Sequence, residues 1–98
     1  MSSSQAPPHD ADAAGFQGQI PDVEPLLTEI IATLALAAHS YLSDDNEKKA
    51  DLNSAEIAID VASATFERVK ERLRPQERLA ITQMLTESRM TFVKKRGL

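Results

Sequence analysis

The chain contains one long apolar stretch, the thirteen uncharged residues from Ile30 to Leu42. Apolar residues recur in and just before it at alternating intervals of three and four, which is typical of one face of an α-helix. The repeating positions are Val23, Leu27, Ile30, Leu34, Ala37 or Ala38, and Tyr41. Glu24 and Glu29 precede the run, and a membrane-spanning helix needs about 20 apolar residues. The pattern therefore predicts a core helix over about residues 23–42, with Asp22 as its N-cap.

Two amphipathic segments follow this helix. Residues 43–50 are polar and predict a loop. Asp51 is the expected N-cap of a second helix over about residues 52–73, with Asn53 or Ser54 as alternative caps. Its predicted buried positions are Leu52, Ala55, Ile59, Ala62, Phe66, Val69 and Leu73. Pro75 disfavours helical geometry in the preceding residue and suits a first helical turn, so a third helix is predicted over about residues 75–95. Its predicted inward positions are Leu79, Ile81, Met84, Leu85, Ser88 and Phe92.

The start of the chain differs in composition from the rest. The first 20 residues hold two of the five prolines and two of the three glycines, and they contain no Lys or Arg. Such a segment buries too little apolar surface to offset the entropy of ordering it, which predicts a disordered leader over residues 1–21 ahead of a helical domain over 22–96. The leader lacks the basic start and apolar run of a secretory signal, so a cytoplasmic protein is expected.

The first helix is apolar over more than the usual third of its circumference, because Leu26, Ile31 and Leu36 widen the main stripe. Such a helix is either central in its fold or packed against a second copy; a merely Ala-rich surface is the alternative. Small domains bury only about 60% of their unfolded surface, so self-association would enlarge the core. We therefore predict an all-α, three-helix hairpin or bundle that forms a homodimer. The expected partner-facing residues are Leu27, Ile30, Leu34, Ile57 and Val61.

Several short motifs follow the Ala- and Leu-rich first helix in a set order: LNSAEIAID, then RLRPQE, then RMTFV. Over residues 23–93 this order resembles a family of small bacterial proteins named domain of unknown function 1844. The matching positions are Asp51-Leu52, Ile59-Asp60 and Ser88 to Val93. The family usually has a Gly-Asn turn where this chain has Glu71-Arg72, and a leucine in place of Ser88. The resemblance implies a small, cytoplasmic, helical bacterial protein, and it implies no activity.

Residue types that carry catalysis or bind metals are sparse. The chain has no cysteine and two histidines, of which His9 lies in the predicted leader and His39 in the apolar helix. No HExxH or CxxC motif supplies several metal ligands at a defined spacing. Near the end of its helix, His39 is expected to complement the helix dipole or to pack there rather than to act as a general base. We predict a non-enzymatic protein without a cofactor, a metal site or a small-molecule substrate.

Asp60 lies in an otherwise apolar stretch of the second helix, IAIDVASA. It is about 100° round the helix from Ile59, so the simplest expectation is that it faces solvent. A second interpretation pairs Asp60 with Arg89 in a structural ion pair that sets how the third helix docks on the second.

The two halves of the chain carry opposite charge. Residues 1–63 contain 11 acids and 2 bases (−9) and residues 64–98 contain 4 acids and 9 bases (+5), which together give the net −4. Either the basic half lies across acidic residues of the same protein, or it forms a surface that contacts RNA phosphates. The candidate phosphate contacts are Arg68, Arg72, Arg74, Arg78, Lys94, Lys95 and Arg96. The acidic pI near 5.1 favours the first interpretation.

Taken together, these features predict a protein-interaction module that acts as a homodimer and binds a further protein partner that the sequence does not identify. The alternative is a small RNA- or ribosome-associated factor that binds through the basic C-terminal half.

Overall fold

Three α-helices make up the fold. The structure, a computed structural model, describes residues 20, 22–44 and 49–97. Helix α1 spans Val23–Leu42, α2 spans Leu52–Val69 and leads into a single 3-10 turn at Lys70–Arg72, and α3 spans Pro75–Lys95. The predicted all-α, three-helix architecture is confirmed. The predicted leader, residues 1–21, lies outside the described residues except for Ile20, whose side chain is exposed.

Local hydrogen bonds explain where the helices begin. The Asp51 carboxylate accepts the Ser54 amide at 3.0 Å, which confirms the N-cap of α2. Asp22 precedes α1 as predicted, but its side chain makes no capping hydrogen bond. Pro25 occupies the third position of the helix and has no amide hydrogen, which removes one of the two amides that an N-cap side chain ordinarily accepts from. At the start of α3, the Glu77 carboxylate accepts the Arg74 amide at 3.1 Å.

Helix α2 is shorter than the predicted residues 52–73, because the α-helix ends at Val69. Arg74 is extended, with ψ near 153°, as expected for the residue before a proline. The chain therefore leaves helical geometry before Pro75. The Arg78 guanidinium donates to the carbonyl oxygens of Lys70 at 3.1 Å and Leu73 at 3.3 Å and so ties α3 to this break. The Lys70 oxygen also accepts the Leu73 amide at 3.2 Å.

Two clusters of buried side chains show how the helices are arranged. The first comprises Ile31, Ala62, Phe66, Val69, Leu73, Ile81 and Leu85. The second comprises Ala38, Leu42, Ala55, Ala58, Ile59 and Phe92. From the first cluster to the second, residue numbers rise along α1 and α3 and fall along α2. Helix α2 therefore runs antiparallel to both of its neighbours, and the bundle is up-down-up.

Helices α1 and α2 pack through small side chains. Alanines are buried on both: Ala35 and Ala38 on α1, and Ala55, Ala58 and Ala62 on α2. The short methyl side chains let the two helix axes approach closely. Helix α2 buries its predicted positions apart from Leu52, which is only half-buried.

The buried row of α1 differs from the predicted one. It consists of Ile31, Ala35, Ala38 and Leu42. In the predicted row, Ala38 is buried, whereas its alternative Ala37 is half-buried. The larger members lie on the flank of the helix and are half-buried or exposed: Val23, Leu27, Ile30, Leu34 and Tyr41. A prediction from periodicity gives most weight to large apolar side chains, whereas close packing against α2 requires small ones such as alanine. The row that combines Ala35 and Ala38 with Ile31 and Leu42 therefore marks the side of α1 that faces the core.

In α3, the predicted inward residues Ile81, Leu85 and Phe92 are buried, and Met84 and Ser88 are half-buried. Leu79 is exposed, so its assignment to the core is wrong. It lies about 160° round the helix from Ile81, and only one side of α3 contacts α1 and α2.

We expect Ile31→Ala to lower the free energy of unfolding by about 2–5 kcal/mol, because it removes a fully buried side chain from the first cluster. The control is Leu36→Ala, at an α1 position that is 70% exposed, which should change it by less than about 1 kcal/mol. Chemical denaturation followed by circular dichroism measures both. Equal effects of the two changes would contradict the observed orientation of α1.

Asp44 ties the connection after α1 to the end of α3. Its carboxylate accepts a hydrogen bond from the Lys95 ammonium at 3.2 Å and another from the Ala50 amide. The hydrogen bond from Lys95, and next the one from Ala50, hold the pKa of Asp44 below its ordinary value. A carboxyl group whose pKa is lowered by folding stabilises the folded state above its unfolded pKa, and this contribution is lost as the pH falls through the folded pKa.

For this reason Asp44→Asn should lower the melting temperature at pH 7. The difference from wild type should shrink as the pH falls from about 4 through the lowered pKa of Asp44. Thermal unfolding from pH 7 to pH 2.5 measures it, and a difference that stays constant over this range would show that the Asp44 charge is not its source.

Candidate interaction surface

Helix α3 covers only one side of the hairpin formed by α1 and α2. Arg89 of α3 contacts α2, because its guanidinium donates to the Asp60 carboxylate at 3.3 Å and to the Ser63 hydroxyl at 3.2 Å. On α1, His39 lines a groove together with Ser88 and other α3 residues. Ser63 and His39 therefore mark the flanks of the hairpin that face α3.

The opposite side of the hairpin is not covered by any described residue of α3. Ile30 lies about 180° round α1 from His39, and Val61 lies about 160° round α2 from Ser63. A groove on this side is lined by described residues of α1 and α2 alone: Leu34, Ala37, Tyr41, Ser54, Ile57 and Ala58. The bundle thus has a two-helix surface turned away from its third helix.

All five residues predicted to face a partner lie on this side, which we call the hairpin face: Leu27, Ile30, Leu34, Ile57 and Val61. Ile57 is 64% exposed, Val61 47% and Ile30 39%. Leu27 and Leu34 are partly buried against the core and form the floor of the face. The fold therefore brings together, from two separate helices, the apolar residues that were predicted from the sequence to face a partner.

A second apolar groove runs along α3 and was not predicted. The described residues that line it are Leu85, Thr86, Arg89, Met90, Val93 and Lys94. Met90 and Val93 are exposed, although the chain around them is highly charged. Met90 and Val93 are three residues apart, a spacing that can place them on one side of a helix. The charged and polar residues around them make this pattern hard to recognise in the sequence.

The structure confirms the predicted ion pair between Asp60 and Arg89. Both side chains are about half exposed, Asp60 at 59% and Arg89 at 48%, so the expectation that Asp60 faces solvent also holds in part. Exposed pairs stabilise proteins by about 1 kcal/mol or less, because water screens them. The pair thus assists the docking of α3 on α2, whereas the buried clusters supply most of the stabilisation.

The predicted phosphate contacts do not form one surface. Arg68 to Arg78 lie near the start of α3 and Lys94 to Arg96 at its end, about 30 Å apart along a helix of 21 residues. Most of them have partners: Arg72 pairs with Glu24 at 2.6 Å, Arg74 with Glu77 at 3.2 Å and Lys95 with Asp44 at 3.2 Å.

Two more of these bases have structural contacts. Arg78 donates to the carbonyl oxygens at the end of α2, and the Arg96 guanidinium stacks 5.3 Å from the centroid of the Phe92 ring. Arg68 and Lys94 remain without an ionic partner among the described residues. Three ion pairs among the described residues join the acidic half to the basic half: Glu24–Arg72, Asp44–Lys95 and Asp60–Arg89.

Among residues 20, 22–44 and 49–97, no three His, Cys, Asp or Glu side chains are grouped so that they could hold a metal ion. His39 is exposed and lines two grooves between α1 and α3, whose described acidic residues are Glu87 and Asp44. His9 lies outside the described residues.

Helix α1 is long and apolar enough, by length and composition, to span a membrane, with a mean hydropathy of 1.3 over the best window. The apolar part of α1 is thus longer than the thirteen uncharged residues from Ile30 to Leu42, because the window also includes residues before Ile30. A core helix of a protein in water and a signal sequence near the N-terminus meet the same criterion, so the support for a span is weak.

Comparisons with protein-family models, with curated proteins and with solved structures give no match to this chain. The resemblance to domain of unknown function 1844 therefore stays a prediction.

A double-mutant cycle tests the role of the Asp60–Arg89 pair. We expect Asp60→Ala and Arg89→Ala each to lower the free energy of unfolding by about 1 kcal/mol or less, and the double change to cost little more than either alone. The matched control is Lys94→Ala, which removes an exposed α3 base without an ionic partner among the described residues and should add to Asp60→Ala independently. Additivity of the Asp60 and Arg89 changes in denaturant unfolding would dismiss the pair as a contributor.

Proposed function

We propose that this protein is a non-enzymatic protein-interaction module that acts as a homodimer and that the hairpin face is its contact surface. The observation that carries the proposal is the exposure of Ile30, Ile57 and Val61 on one continuous side of two packed helices. Single exposed apolar residues are ordinary, whereas a grouped apolar face on a small protein is typical of an interaction site.

The size of the hairpin face suits a dimer contact. Two helices of 20 and 18 residues side by side, each about 10 Å across and about 27–30 Å long, present roughly 570 Å² in projection. Accessible surface exceeds projected area because side chains make the surface rough. A stable interface buries about 800 Å² of accessible surface on each partner, so the two quantities are comparable.

A second copy is a favourable partner because a hairpin is half of a four-helix bundle. Two hairpins stacked through this face would enclose Leu27 and Leu34 of both copies in a shared core. The small residues Ala37 and Ser54 beside the face allow close approach. Each copy would gain the burial that a domain of this size lacks on its own.

The packing of α1 supports a cytoplasmic location. Ile31, Ala35 and Ala38 are buried against the other two helices, and Glu24 forms an ion pair with Arg72. A lipid environment would require α1 to leave these contacts and would place Glu24 and Glu29 in or near the bilayer. We therefore infer that protein, and not lipid, covers the apolar surface of α1.

Charge placed on the hairpin face should separate the copies. We expect wild type to have the mass of a dimer in sedimentation velocity at micromolar concentration. Ile57→Glu and Val61→Glu should each raise the dissociation constant about 100-fold or more, because the symmetric contact would bury two unpaired carboxylates.

The matched control is Leu36→Glu, which changes an apolar residue of α1 that is more exposed than Ile57 but lies away from the hairpin face. It should leave the dimer intact, and circular dichroism should show that all three variants remain helical. A monomeric wild type, or equal dissociation by Leu36→Glu, would overturn the proposal.

A further inference from the structure

We propose that the leader docks on the second apolar groove, along α3 of its own chain, with the Phe16 ring in the groove and the Asp12 carboxylate beside the Lys94 ammonium. Both leader residues lie outside the described residues, so their positions are part of the proposal. The α3 groove, as we call it, is lined by Leu85, Thr86, Arg89, Met90, Val93 and Lys94. It lies on a different side of the bundle from the hairpin face, and its occupation does not require the proposed homodimer.

The α3 groove is an apolar site on the outside of the bundle. Met90 is 58% exposed and Val93 37%, and Leu85 of the first buried cluster forms the floor. All the described residues that line the groove belong to α3. Its volume of about 500 Å³ is within the range of grooves that hold a ligand. Apolar side chains that are grouped in this way on a surface are typical of a binding site.

The charges along the α3 groove indicate the kind of occupant. None of the described residues that line it is acidic, and two are basic. Arg89 already contacts Asp60 at 3.3 Å, whereas Lys94 at the far end has no ionic partner among the described residues. The groove therefore suits a segment that carries an apolar side chain and, farther along, a carboxylate.

The leader has the composition that such an occupant needs. Residues 1–20 contain two acids, Asp10 and Asp12, and no Lys or Arg. The large apolar side chains of this segment that lie nearest to α1 are Phe16 and Ile20. Ile20 is 89% exposed, which leaves Phe16 as the apolar anchor.

The chain between Phe16 and α1 is long enough to reach the near end of the groove. Ile31 and Leu85 belong to the same buried cluster and so lie at one level of the bundle. Val23 precedes Ile31 by eight residues, which is about 12 Å along the helix axis. Seven residues lead from Phe16 to Val23 and extend to about 23 Å, so about 20 Å remains for crossing the bundle. That distance is about two interhelical spacings of 8–10 Å, enough to pass from α1 to the outer side of α3.

The spacing of leader residues determines the second contact. Leu85 and Lys94 are nine residues apart on α3, which is about 14 Å. Phe16 and Asp12 are four residues apart, which is about 13 Å in an extended chain. A leader that enters the groove at Leu85 and continues along α3 therefore brings Asp12 to Lys94.

The covalent connection lets a weak contact occupy the groove. A short flexible connection holds a segment at an effective concentration of about 1 mM near its site. A segment whose free peptide has a dissociation constant of about 1 mM would therefore fill half of the grooves. The composition of the leader predicts no fold of its own, but α3 supplies the apolar surface that the docked leader covers.

A spin label in the leader tests the contact in the full chain. The chain has no cysteine, so Ala13→Cys provides a single attachment site for a nitroxide. The methionines are Met1, Met84 and Met90, and their isotope-labelled methyl groups give separate NMR signals. Met90→Leu assigns the Met90 signal.

Met84 serves as the internal control. It lies two helical turns before Thr91, which lines a groove with His39 of α1, so it is on the α1 side of α3 and not in the α3 groove. An undocked leader, joined to α1, would broaden Met84 as much as Met90. We expect the oxidised nitroxide to remove most of the Met90 signal and to leave most of the Met84 signal.

Variants in the Ala13→Cys chain test each contact. Phe16→Ala should abolish the difference between the two methyl signals, whereas Gln17→Ala, the matched control in the leader, should preserve it. Asp12→Lys and Lys94→Asp should each lower the docking equilibrium constant about fivefold, because each reverses one charge of an exposed pair. The chain with both changes should regain the original value.

Equal broadening of Met84 and Met90, or a difference that survives Phe16→Ala, would overturn the docking. A charge exchange that recovers nothing would overturn the contact of Asp12 with Lys94 and with it the proposed placement of the leader. A mixture of spin-labelled chain with isotope-labelled chain that lacks cysteine should leave the Met90 signal sharp. Broadening of Met90 in this mixture as strong as within one chain would assign the leader to the groove of a second copy and overturn the inference.

Discussion

The close packing of alanines between α1 and α2 is the constraint on which the rest of the structure depends. Ala35 and Ala38 of α1, together with Ala55, Ala58 and Ala62 of α2, are buried, and their methyl groups leave little space between the helices. This contact determines which side of α1 turns inward. It also means that each residue in it removes little apolar surface from water, because a methyl group is small.

The larger buried side chains are therefore placed where α3 crosses the hairpin. Phe66, Leu73, Leu85 and Phe92 fill that side. A chain with three helices can cover one side of a hairpin and not both. The apolar residues of the hairpin face are thus a consequence of the fold, and a second copy of the same hairpin is the cover that we propose.

Like the apolar residues, some charged residues make their contacts within the protomer. Glu24 with Arg72 joins the start of α1 to the turn after α2, and Asp44 with Lys95 joins the connection after α1 to the end of α3. These contacts lie at opposite ends of the bundle and hold acidic and basic segments together. Together they pair two acids of the first half of the chain with two bases of the second half.

The sequence by itself determined the all-α class, the bounds of α1 and α3, the N-cap at Asp51 and the break before Pro75, because each depends on local periodicity, capping or proline geometry. It also indicated Ile57 and Val61 as residues outside the core. Only the tertiary structure decided that Ile31 rather than Ile30 faces the core, that Leu79 is exposed and that Arg68 and Lys95 lie at opposite ends. These properties depend on which helix faces which, and a helix with apolar residues on most of its surface can bury more than one side until its neighbours select one.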